Sequence, residues 1–161
     1  MADLHTHEFP TLTPSITVSP ADEAIAWYER ALGASVRFLN RTPDGKKVLN
    51  AQLILGDSLL MLNDAFPEYG NPGPEPGTPI FVTLHLQLPD VDTAFARAAE
   101  HGAEITMPLQ DMFWGDRYGQ FRDPYGYLWS MGQRIAHPTE AESYEAAKEW
   151  FPASEDASGG G

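Results

Sequence analysis

The chain has 161 residues, 42% of them hydrophobic and 20% charged, with 10 Lys and Arg against 23 Asp and Glu for a formal net charge of −13. That composition fits one globular domain with a real core, and a basic cluster no larger than Lys46-Lys47 argues against nucleic acid as a partner. With no cysteine, disulfides, zinc–thiolate sites and cysteine nucleophiles are excluded, and no apolar run approaches the ~20 residues of a membrane span.

Residues 1–13 read as an extension. Met1 to Pro10 shows no basic segment followed by an apolar stretch, so the expected location is cytoplasmic, without nucleic-acid or membrane partners. More than half of the excess negative charge falls in 1–13 and 139–161, which predicts a solvated acidic surface.

The body, 14–134, reads as two similar halves: module one over 14–64, a linker over 65–79 and module two over 80–134. In module one, Ile16 and Val18 alternate with Ser15 and Thr17, as in a strand with one buried face. A helix follows, with Ser19 expected as its cap, Pro20 at its first position, an apolar stripe of Ala24, Ile25, Tyr28 and Leu32, and Gly33 at its end. Pro43-Asp44-Gly45 and Gly56-Asp57-Ser58 predict hairpin turns. Between them Leu49, Ala51, Leu53 and Leu55 alternate with Asn50, Gln52 and Ile54. The Pro- and Gly-rich stretch Pro67 to Pro79 reads as a connector or as a lid over a pocket.

Module two repeats the plan. Leu84, Leu86 and Leu88 alternate with Thr83, His85 and Gln87; Asp90 is expected to cap a helix with the stripe Ala94, Phe95, Ala98 and Ala99; and Gly102 ends it. Trp114-Gly115-Asp116-Arg117 is expected in a loop before the closing hairpin. Thr139, with Glu142 three residues on, predicts a capped helix over 140–151 that docks on the body, followed by a disordered tail over 154–161.

The polar strand faces carry neutral hydrogen-bonding groups rather than Lys and Glu, which predicts a partly enclosed concave face. Asn50, Gln52, Met61, Thr83, His85 and Ser130 are its candidate lining, with Thr13, Ser15 and Thr17 nearby and Trp114 and Arg117 at the rim. His85 is the candidate general base or ligand-orienting donor; the alternative is a histidine bonded within the sheet. Arg117 is the candidate partner for an anionic or carbonyl group; the alternative is a structural contact with Asp116. Trp27, Tyr28 and Trp129 are expected in the core or at a subunit contact.

Ala24-Ile25-Ala26-Trp27-Tyr28, Leu32-Gly33-Ala34, Pro43-Asp44-Gly45, Gly56-Asp57-Ser58-Leu59-Leu60-Met61-Leu62, Leu88-Pro89-Asp90-Val91-Asp92, Trp114-Gly115-Asp116-Arg117-Tyr118-Gly119 and Asp123-Pro124-Tyr125-Gly126-Tyr127-Leu128-Trp129, in this order, resemble the vicinal oxygen chelate (glyoxalase/bleomycin resistance/dioxygenase) superfamily, in its PhnB-like branch. The resemblance implies an α+β fold of two tandem βαβββ modules forming an incomplete barrel with a central cup, usually in a homodimer. Its metal enzymes place His, Glu or Gln on the first and last strands of each module. The matching positions here are Thr13, Met61, Thr83 and Ser130, none of them a normal ligand. The expectation is therefore no metal and no cofactor: a metal-independent small-molecule binding protein of the kind that sequesters an antibiotic or metabolite. The alternative is a glyoxalase-like lyase, isomerase or dioxygenase using displaced ligands or metal-free chemistry centred on His85.

Overall fold

A computed structural model describes residues 8–151. Two four-stranded sheets are built the same way. Module one contains β1 (Ser15–Thr17), α1 (Ala21–Leu32), β2 (Ser35–Arg41), β3 (Val48–Leu55) and β4 (Ser58–Asn63). Module two contains β5 (Thr83–Gln87), α2 (Val91–Glu100), β6 (Glu104–Asp111), β7 (Asp116–Arg122) and β8 (Leu128–Arg134). The strand orders are β1-β4-β3-β2 and β5-β8-β7-β6. The first strand of each module runs parallel to the fourth, and the remaining pairs are antiparallel. This is the α+β fold of two βαβββ units expected above, with the sheets left open rather than closed into a barrel.

The turns form for the predicted reason. Gly45 and Gly56 take φ of 73° and 61°, left-handed values that a side chain resists. Gly33 ends α1 in the same conformation, its N–H donating to the Tyr28 carbonyl. Asp90 caps α2 by accepting from the Thr93 N–H at 3.1 Å.

The start of α1 differs from the expectation. Pro20, not Ser19, holds the cap position, and no side chain of the cap residue bonds to the helix. The Ser19 hydroxyl instead donates to Asp64 Oδ1 and accepts from the Ala65 N–H. Asp64 supplies the missing acceptor from far along the chain: its Oδ1 takes the Ala21 N–H at 3.0 Å and its Oδ2 the Val48 N–H at 2.7 Å. One buried carboxylate thus satisfies both a helix start and a strand start.

The core lies between the helices and the sheets. Tyr28, Leu53, Leu62, Phe121, Trp129 and Met131 are fully buried there. The modules are locked by polar contacts as well as apolar ones. Trp27 Nε1 donates to the His101 carbonyl at 2.7 Å, and the Tyr127 hydroxyl donates to the Thr17 carbonyl at 2.8 Å. Trp27, Tyr28 and Trp129 are therefore core residues of one chain, and the first two offer no surface to a second subunit.

The connector holds a single 3-10 turn, Pro67–Tyr69, and an isolated bridge from Phe66 to Asn71. Residues 72–78 pass over β1 and line a cavity of about 380 Å³ with Tyr125 on its far wall. The last helix, α3 (Glu140–Trp150), has the predicted capping box between Thr139 and Glu142. None of its residues is buried; it meets the body through Trp150, whose ring centre lies 6.0 Å from that of Phe113. The expected tail lies outside the described residues.

Candidate functional site

Strand parity divides the module-two sheet into two faces. Phe121 and Trp129 point to α2 and the core, so Tyr118, Gln120, Ser130 and His85 point the other way. The register confirms the grouping: His85 lies beside Ser130, Ser130 beside Gln120, and Tyr118 beside Gly132.

His85 is the centre of this face. Its Nδ1 lies 2.8 Å from the Ser130 hydroxyl and its Nε2 lies 2.9 Å from Gln87 Oε1. Gln87 Nε2 reaches Asp116 Oδ1 at 3.3 Å, and Asp116 pairs with Arg134 at 3.2 Å. The Tyr118 ring stacks on the imidazole with centres 6.0 Å apart, and Trp114 meets Tyr118 edge-on at 5.5 Å. Gln120 Nε2 donates to the Tyr118 hydroxyl at 2.8 Å. Gly132 makes room for the arrangement: a methyl there would stand 3.1 Å from both Gln87 Oε1 and His85 Cε1.

Several expected lining residues fall into place here and others do not. His85, Ser130 and Trp114 belong to one face, with Ser130 only 2% exposed beneath the imidazole. Thr83 is exposed at the start of β5, in register with Leu128. Arg117 is in β7 rather than in a loop, and its parity places it on the α2 side of the sheet. There its guanidinium holds both oxygens of Asp92 at 2.9–3.0 Å and Asp111 at 3.1 Å. These two carboxylates raise its already high pKa further. It stands behind the sheet from His85, occupied by acids of its own module, and does not form a rim with Trp114. Tyr118, Gln120 and Gln87 were not singled out by sequence. Their alternation with Gly119 and Phe121 along β7, and with Leu86 along β5, was the signal available.

Asn50, Gln52 and Met61 line the polar face of module one. Met61 lies between Ser15 and Gln52 in register. Gln52 Oε1 accepts twice from Arg37, at 3.0 and 2.7 Å, and the Arg37 guanidinium lies over the Phe9 ring. Asn50 Oδ1 is buried without a hydrogen-bond partner. Thr13 lies outside β1, its hydroxyl donating to the Pro10 carbonyl. The groove of about 390 Å³ that touches Thr83 and His85 is closed by Pro10, Leu12, Pro14 and Leu60, not by Asn50, Gln52 or Met61.

The family model of the Glyoxalase/Bleomycin resistance protein/Dioxygenase superfamily matches residues 9–131, and the chain belongs to that superfamily. Among its relatives, the uncharacterized protein Rv0887c of Mycobacterium tuberculosis is 40% identical over 131 residues, 78% of this chain and 75% of that protein. Among solved structures, TioX from Micromonospora sp. ML1 is 26% identical with a TM-score of 0.60, covering 78% of this chain and 99% of TioX. The PhnB protein from Bacillus cereus is 19% identical with a TM-score of 0.62, over 77% of this chain and 99% of that one, a likeness of fold.

The donor set does not suit the divalent ion that metal enzymes of this superfamily hold. Thr13, Met61, Thr83 and Ser130 offer hydroxyls and a thioether, and the hydroxyls of Thr13 and Ser130 are engaged within the protein. Among the described residues no group of three or more His, Asp or Glu stands close enough to ligate an ion. His85, the one imidazole on the face, has both nitrogens taken.

Proposed function

We propose that this is a small-molecule binding protein whose ligand lies on the module-two polar face, without a resident metal ion. The observation that carries the reading is the line of rings from Trp114 through Tyr118 to His85, set beside the polar side chains of Ser130, Gln87 and Gln120. Flat apolar faces edged by hydrogen-bonding groups are the usual makeup of a ligand site. Arg134 is paired with Asp116, and Arg122, on the same face by parity, donates to the Gly126 carbonyl, so an uncharged or cationic ligand is favoured over an anionic one. Sequestration of an antibiotic or metabolite in the cytoplasm, within the PhnB-like branch, is the role in keeping with that chemistry. An enzyme centred on His85 is the weaker reading, because the exposed nitrogen, Nε2, faces an oxygen acceptor and so carries a proton rather than taking one.

The binding face is open in a single chain, and we propose that a second copy completes it in a homodimer. Val36, Phe38 and Leu39 on the edge strand β2 and Leu49 beside it are exposed, and they supply apolar surface for such a contact. Light scattering at micromolar concentration is expected to give a dimer mass; a monomer mass would remove this part of the reading.

The test of the binding reading is a thermal-shift screen of small molecules followed by titration of any hit. Neutral and cationic planar compounds are expected to raise Tm and to perturb Tyr118 resonances. A hit that binds only in the presence of an added divalent ion would overturn the metal-independent reading.

A further inference from the structure

Of the two nitrogens of His85, Nδ1 faces buried Ser130 and Nε2 faces the exposed Gln87. Which of them carries the proton decides whether the exposed nitrogen is a donor or a base. Asp116 decides it. Its carboxylate, paired with Arg134, has acceptors only, so the group that Gln87 turns toward it at 3.3 Å is the amide NH₂. The Gln87 carbonyl oxygen is then the atom left for His85 Nε2, and an oxygen acceptor at 2.9 Å requires Nε2–H. In the neutral ring Nδ1 is the lone pair, and the Ser130 hydroxyl donates to it.

We propose that His85 meets a ligand as a neutral hydrogen-bond donor through Nε2–H, and that the Gln87 amide oxygen holds the place of a carbonyl or amide oxygen of that ligand. Gln87 is an exposed side chain on the edge strand β5, so a ligand oxygen displaces it at small cost. Asp116 and Gln87 are positioning residues: they set the polarity of His85 without touching the ligand's ring system. A nitrogen already carrying its proton does not abstract one, so the arrangement serves recognition rather than base catalysis. The role toward a ligand rests on the binding reading above; the tautomer does not.

Long-range ¹H–¹⁵N correlation on the labelled full chain reads the tautomer directly. Wild type is expected to show Nε2–H with an unprotonated Nδ1; a dominant Nδ1–H form would overturn the proposal. Gln87→Leu removes the acceptor and is expected to admit the second tautomer, with Gln87→Glu restoring Nε2–H. An unchanged tautomer in Gln87→Leu would assign the polarity to Ser130 and remove Gln87 as a positioning residue. If Gln87→Leu fails to fold, Asp116→Asn, whose amide no longer dictates how Gln87 turns, is expected to show the same mixing. Benzamide and benzylamine then separate ligand classes. Benzamide is expected to shift the Nε2–H signal and benzylamine to leave it in place, and the reverse order overturns the oxygen-acceptor assignment. With Nε2–H observed and neither probe perturbing the face, the binding reading fails while the tautomer stands.

Discussion

Tyr28 on α1 donates its phenolic hydrogen to Asp123 at 2.7 Å, joining module one to the turn that precedes β8 of module two. The same carboxylate accepts from Trp129 Nε1 and from the backbone N–H groups of Tyr125 and Tyr127, each at 2.9 Å. Removing one donor from a buried carboxylate is expected to cost about 1.5–3 kcal/mol. Tyr28→Phe should therefore lower Tm measurably while leaving the fold intact. An unchanged Tm would mean the bond is replaced by water or contributes nothing.

Burial pushes the Asp123 carboxyl above the ordinary carboxylate value, and its four hydrogen bonds pull it back only in part. The folded chain then holds this proton more tightly than the unfolded chain. Its contribution to stability is accordingly lost as pH rises from the ordinary carboxylate value through the raised one. A ¹³C titration of the Asp123 carboxyl should show a midpoint above the ordinary value; a midpoint at or below it would refute the sign.

Gly119 and Gly132 sit on adjacent strands but on opposite faces, and alanine at each is expected to do different things. At Gly119 the added methyl would come within 2.8 Å of the Phe95 ring, overpacking the core at a cost of about 1–3 kcal/mol. At Gly132 it would press on Gln87 and His85 at 3.1 Å, outside the core. Gly132→Ala should keep most of the stability and disturb the His85 ring signals. Equal losses of Tm in the two variants would contradict the assignment of faces.

Once a ligand is in hand, His85→Ala should weaken binding by roughly two- to tenfold or more, the range expected for losing about 0.5–1.5 kcal/mol. Arg117→Ala should leave affinity within about twofold, a free-energy change below RT ln 2, because its partners are Asp92 and Asp111 behind the sheet. Equal losses in titration would return Arg117 to the site.

Purified protein prepared without a His-tag is expected to carry well under one transition metal ion per chain, and a chelator should leave Tm unchanged. Elemental analysis showing about one ion per chain would mean that ligands outside the expected positions hold it.

Local pattern carried most of the fold. Alternation along β3 and β5, the turns at Gly45 and Gly56, the Asp90 cap and the Thr139–Glu142 capping box are relations between residues a few positions apart, and each was legible in the sequence. Parity also placed His85 and Ser130 on one face and Trp129 on the other. What tertiary structure decided were partnerships across long separations, for which local periodicity holds no information. Asp64 took over the start of α1 from Ser19, and Arg117 turned to Asp92 once β7 extended back to Asp116. His85, for which a histidine bonded within the sheet was one of the two readings, found Ser130 and Gln87 as its partners. A side chain's partner depends on which strand lies beside its own, and only the folded sheet sets that register.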